Sequence, residues 1–184
     1  MTTVPPIGRV RAVTAARTMT ELPRRAEQAQ LEEVFERCFF ASHRTRLVGG
    51  GDEPIYLPAD EPGGIARVVY RHDYVASALH EVAHWCIAGA RRRRLVDYGY
   101  WYAPDGRSAE QQAIFERVEV HPQALEWIFA DAWGSRFELS ADNLQGDARP
   151  SPRFARAVQA EKARLLTTGL APRAARFLAA LSQR

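Results

Sequence analysis

The segment 72–89 constrains this chain more than any other, because it reads as one helix with no wide polar face. Val75, Ala76, Ala78 and Leu79 precede Val82, Ala83, Trp85, Cys86 and Ile87. Gly89 supplies a stop, and Arg91, Arg92, Arg93 and Arg94 follow where cations suit a helix C-terminus. A helix that is apolar on nearly every side belongs inside a core. Three groups break that pattern: His80, Glu81 and His84, in the arrangement H-E-x-x-H.

Residues at i and i+4 share one helical face, so the imidazoles of His80 and His84 can reach a single divalent ion. Left unsatisfied in an apolar setting, each polar group would cost roughly 1 to 3 kcal/mol. A shared metal relieves two of them together. Glu81 lies about 100° round the helix, beside such an ion, where in a metallopeptidase the equivalent glutamate takes a proton from bound water.

The third ligand has to come from elsewhere. The longer motif with a third histidine six residues on is ruled out, since Ile87 and Ala90 occupy its glycine and histidine positions. The candidates are Glu110, Glu116, Glu119, His121 and Glu126, all in the helical region downstream. Glu119 is the preferred one, flanked by Val118 and Val120 and next to Pro122, with His121 and Glu116 as alternatives. The peptidase pattern E-x-x-x-D is incomplete, because Gln123 stands where the aspartate would be. Two histidines and one carboxylate suit a non-haem Fe(II) centre, and zinc can occupy the same set.

Around this helix the pattern is that of an α+β domain, a small mixed sheet packed with several helices. Residues 1–26 lack apolar periodicity and read as a poorly ordered extension, leaving 27–184 as a single catalytic domain. Leu31, Val34, Phe35, Cys38 and Phe39 predict an amphipathic helix over 28–40. Short strands are expected over 44–48, 54–58 and 66–70, bounded by Gly and Pro. The aromatic run 96–102 reads as extended. Ser108 and Gln111 match a capping box for a helix to Trp133, which Pro122 is expected to interrupt or kink. Two more helices are expected over 154–166 and 173–181.

Cys38 and Cys86 both sit in apolar stretches and read as buried thiols, which excludes a disulfide framework. No apolar run approaches the roughly 18 to 20 residues of a membrane span, and no signal-peptide core is visible, so a cytoplasmic protein is expected. The net charge of +3 is too small, and its basic residues too little interleaved with aromatics, to predict a nucleic-acid partner.

Five blocks together carry a family resemblance: DEPIYLPA at 52–59, HEVAHWCIAG at 80–89, LVDYGYWY at 95–102 with PDGR at 104–107, VEV at 118–120 with PQAL at 122–125, and DNL at 142–144 with GD at 146–147. In order and at this length, the chain resembles the elongation factor P hydroxylase family. The resemblance implies an iron-dependent monooxygenase that uses molecular oxygen to hydroxylate the lysyl-modified lysine of elongation factor P. It implies His80, His84 and Glu119 as the 2-His-1-carboxylate ligands of Fe(II), and an endoribonuclease-like or zincin-like fold. It does not imply the double-stranded β-helix of 2-oxoglutarate oxygenases, and 2-oxoglutarate is not expected as a cofactor.

For such a substrate Tyr98, Tyr100, Trp101 and Tyr102 are candidates for the pocket wall, and Asp52, Glu53 and Asp97 for receiving its amines. The alternative reading is a zinc metallopeptidase, with Glu81 as general base and Glu119 as third ligand.

Overall fold

The computed structural model describes residues 21–99, 107–141 and 149–183. The fold is α+β: among the described residues, five α-helices accompany one three-stranded mixed sheet. Helix α1 (Glu21–His43) leads into β1 (Thr45–Gly51), β2 (Ile55–Leu57) and β3 (Ala66–Arg71). Helix α2 (Val75–Ile87) follows, then two short 3₁₀ turns (Arg92–Arg94 and Val96–Gly99), and finally α3 (Ala109–Trp133), α4 (Pro152–Thr168) and α5 (Pro172–Leu181). α1 starts at Glu21, inside the stretch read from sequence as an extension.

β3 is the central strand, parallel to β1 and antiparallel to β2. Its alternation buries Ala66, Val68 and Tyr70 and exposes Arg67 and Arg71, the period expected of a sheet with one covered face. The helical stripe of α1 supplies Leu31, Val34, Phe35, Cys38 and Phe39 to the core. Phe35, Phe39, Trp85 and Phe177 form an aromatic cluster at its centre, with Phe39 and Trp85 rings 4.6 Å apart. Cys38 and Cys86 are both buried free thiols.

α2 lies between β3 and α3, which explains why its sequence is apolar on nearly every side. Its buried residues are Ala78, Leu79, Val82, Ala83, Trp85 and Cys86. Two guanidiniums satisfy the carbonyls at its C-terminal end. Arg93 Nη1 donates to Ala88 O at 2.7 Å, and Arg173, from α5, donates to Cys86 O at 2.9 Å and also to Ala88 O. The cationic run after Gly89 therefore acts through Arg93, with a second arginine contributed from 80 residues downstream.

Two expectations are corrected. The segment 96–102 is not an extended strand where it is described: Val96–Gly99 is a tight turn in which Asp97 and Tyr98 have φ of 47° and 59°. Tertiary contacts impose that conformation. Asp97 Oδ1 accepts the N–H of Tyr56, Tyr98 stacks on Tyr56 at 4.5 Å and 13°, and Arg92 Nη1 donates to Tyr98 O. Secondly, of the break or kink expected at Pro122 the break is absent, because α3 runs unbroken from Ala109 to Trp133. Its missing hydrogen bond costs about 3 kcal/mol, which burial of Leu125, Ile128, Phe129 and Trp133 in the same helix offsets. The expected capping box is present, with Ser108 Oγ accepting from Gln111 N and Gln111 Oε1 accepting from Ser108 N.

Candidate metal centre

The one-turn spacing on α2 puts His80 and His84 side by side, with their Nε2 atoms 3.1 Å apart. α3 packs against α2 and brings Glu119 to the same point. Glu119 Oε1 is 3.3 Å from His84 Nε2, and Oε2 is 3.6 Å from His80 Nε2. Ligand atoms of all three residues lie within 4.8 Å of one another. Donors at about 2.0 to 2.1 Å from one ion, at angles of 90° to 109°, would be separated by roughly 2.9 to 3.4 Å. The separation of the two imidazole nitrogens and that of His84 from Glu119 Oε1 fall in this range, and His80 lies slightly beyond it from Oε2.

The donor set fits an ion chemically as well. Glu119 Oε2 is buried and has no hydrogen-bond partner. Such an atom pays the full desolvation cost unless a cation meets it. Exposure falls from 26% for the His80 side chain to 3% for Glu119, so the centre opens to solvent past His80.

In the ion-free protein protons balance these charges. Burial disfavours a charged His80, but Glu126, then Glu119 and Glu81, outweigh it and raise the imidazole to about 10. Burial pushes Glu119 up, yet His84, His80 and a hydrogen bond from Gln123 bring it down to about 2. Glu81 is not part of the triangle; burial raises its carboxyl above the ordinary value, against the pull of His80 and His84.

The other third-ligand candidates meet different partners. His121 Nδ1 bonds Glu161 Oε1 at 2.5 Å. Glu116 accepts from Ser151 N and Oγ, bracing the residue that caps α4. Glu110 is exposed at the start of α3. Glu126 is at the centre but on its outer side, with Oε2 2.8 Å from His80 Nδ1.

Sequence reasoning missed the contribution of Gln123, dismissed as the wrong residue for a peptidase pattern. Its amide bonds Ser140 in both directions, at 2.9 and 3.1 Å, one turn from Glu119, whose carboxyl it helps to hold down. The available signal was spacing: Glu119, Gln123 and Glu126 at i, i+4 and i+7 share one face of a helix.

Of the residues assigned to substrate, Asp52 and Glu53 are exposed between β1 and β2. Asp97 commits Oδ1 to the Tyr56 backbone. Tyr98 is buried at 3% exposure, and its hydroxyl has no partner among the described residues. Tyr100, Trp101 and Tyr102 lie outside the described residues, as do the blocks at 142–147.

Comparison with known proteins agrees with the resemblance seen in the blocks. A family model described as elongation factor P hydroxylase matches residues 34–184, from the middle of α1 to the last residue. An elongation factor P lysine hydroxylase of Haemophilus influenzae is 50% identical over 141 residues, covering 77% of this chain and 79% of the relative.

Proposed function

This chain belongs to the elongation factor P hydroxylase family, and from that premise we propose that it hydroxylates the modified lysine of elongation factor P at Fe(II) held by His80, His84 and Glu119. The observation that carries the metal reading is the unpartnered Oε2 of Glu119, buried 3.6 Å from His80 Nε2. Bound there, Fe(II) would supply the activation of molecular oxygen, one atom entering a C–H bond of the side chain and the other leaving as water with two electrons from a reductant and two protons. His80, His84 and Glu119 would hold the ion, and a set of only three protein ligands would leave coordination positions open.

The protein's own groups do the rest. α2 and α3 hold the three donors on rigid helices, so little reorganisation accompanies binding. Glu81, with its carboxyl raised by burial, is suited to hold or pass a proton beside the centre. Tyr98, buried and close enough to Glu81 to feel its charge, is the described aromatic offered for the pocket wall. The exposed carboxylates Asp52 and Glu53 offer charge for the amines of the modified lysine. We place the reaction in the cytoplasm; among the described residues no helix is long and apolar enough to cross a membrane.

The test is intact-mass analysis of elongation factor P carrying the modified lysine, after incubation with anaerobically iron-loaded protein, oxygen and a reductant. A gain of one oxygen mass that disappears in His84→Ala supports the proposal. Tight zinc, an unchanged mass and peptide cleavage dependent on Glu81 would replace it with the metallopeptidase reading.

A further inference from the structure

Four polar or charged residues are buried among those described: Thr45, Glu119, Gln123 and Glu126. Three of them fall on α3, and their spacing places them within about 60° of one another around the helix axis. An otherwise apolar core thus receives one polar stripe, directed at the two histidines of α2. Glu119 completes the ligand set, and Gln123, one turn on, donates to the backbone of Ser140. Glu126 touches the centre only through the far nitrogen of His80.

We propose that Glu126 is a positioning residue of the metal centre, holding His80 with hydrogen on Nδ1 so that the Nε2 lone pair faces the ion. This rests on the reading that His80, His84 and Glu119 hold a divalent metal. A neutral imidazole carries its hydrogen on one ring nitrogen, and only the Nδ1–H form presents Nε2 as a donor in this geometry. A carboxylate can only accept. At 2.8 Å from Nδ1, Glu126 Oε2 selects that form, stops the ring from turning, and makes Nε2 more basic. Nδ1 and Nε2 point out of different sides of the ring, which is why Glu126 is absent from the three-residue cluster although it touches one of its members.

The support is one-sided. Among the described residues His84 Nδ1 has no hydrogen-bond partner, and the contacts of its ring run through Nε2 to His80 and Glu119. His80 is also the more exposed of the two, 26% against 12% for its side chain, and so the one with less packing to fix its ring. Glu126 supplies by a hydrogen bond what packing supplies to His84.

The experiment measures Co(II) affinity by chelator competition, together with the Co(II) absorption spectrum, for the full chain and for His84→Ala, Glu126→Ala and Glu126→Gln. Wild type should bind one ion and His84→Ala should lose it. Glu126→Ala should bind about 10- to 100-fold more weakly, with an altered spectrum. Glu126→Gln keeps the shape and one acceptor oxygen, so it should fall between the two and recover most of the wild-type spectrum. Wild-type affinity and spectrum in Glu126→Ala overturn the inference while leaving the metal site intact. Should Glu126→Ala fail to fold, Glu126→Leu, of similar size and with no atom to accept from Nδ1, takes its place, and wild-type affinity and spectrum in that variant overturn the inference. Absence of binding in wild type, or its persistence in His84→Ala, overturns the metal reading and this inference with it.

Discussion

Asp97 Oδ1 accepts the backbone N–H of Tyr56 at 2.8 Å, a bond across 41 residues that ties the left-handed turn after α2 to the edge strand β2. The same turn inserts Tyr98 against the Tyr56 ring. The bond and the stack together hold two consecutive non-glycine residues at positive φ, a conformation that costs on the order of 1 to 2 kcal/mol per residue.

Substitution at Asp97 should therefore separate the bond from the backbone. Asp97→Ala loses the acceptor and keeps the unfavourable φ, for an expected loss of about 2 kcal/mol. Asp97→Gly loses the same bond but tolerates the φ, and should be about 1 kcal/mol less destabilised than Asp97→Ala. Urea denaturation of the two variants gives the comparison; equal losses would mean the turn carries no strain.

Metal should stabilise the fold as well as complete the site. A ligand present at 100 times its dissociation constant adds about 2.7 kcal/mol to the folded state. Thermal unfolding with and without a divalent metal should show that increment in wild type and none in His84→Ala or Glu119→Ala. A shift of the same size in either variant would place the ion elsewhere.

The ion-free and metal-loaded proteins should respond to pH in opposite directions. Burial lowers the His80 imidazole, but Glu126 and Glu119 prevail and raise it from its ordinary 6.5 to about 10. A group raised on folding contributes stability that is full below its unfolded value and is lost as pH climbs through the folded one. Ion-free protein should therefore lose stability from about pH 6.5 to 10. Metal affinity should rise over the same interval, since the ion must displace that proton. Denaturation midpoints across this range, with and without metal, would show parallel trends if His80 were not the group involved.

His121 should prove dispensable for metal binding. Its ring bonds Glu161, and Glu161 is held at about 2 chiefly by a hydrogen bond from Arg164, against burial and with help from His121. His121→Ala should leave Co(II) affinity unchanged. A carboxylate depressed on folding contributes stability above its unfolded value and loses it as pH falls. Glu161→Gln should flatten the acid limb of stability between about pH 4.5 and 2, and salt should shrink the effect because the pair is partly exposed. Loss of Co(II) binding in His121→Ala would return it to the list of ligands.

Much of the fold was legible because it depends on local periodicity. The α1 stripe, the alternation in β3 and the capping box at Ser108 each follow from neighbours a few residues apart. The illegible parts depend on distant partners. Nothing in VDYG itself announces a left-handed pair, since Tyr56, which bonds Asp97 and stacks on Tyr98, comes from a strand 41 residues away. Pro122 argued for a break because the burial that outweighs its lost hydrogen bond comes from packing along the whole of α3.

The sequence by itself determined that His80 and His84 face one point, because 3.6 residues per turn make i and i+4 neighbours on any helix. It also determined that their helix is buried, since an all-round apolar surface has nowhere else to go. Only the tertiary structure decided how the downstream acids divide their work. Glu116, Glu119 and Glu126 are chemically alike, and α3 turns Glu119 to the two Nε2 atoms, Glu126 to the back of His80 and Glu116 to the cap of α4. What a carboxylate meets depends on where the packed helix points it, and that direction is set by the angle and register at which α3 meets α2.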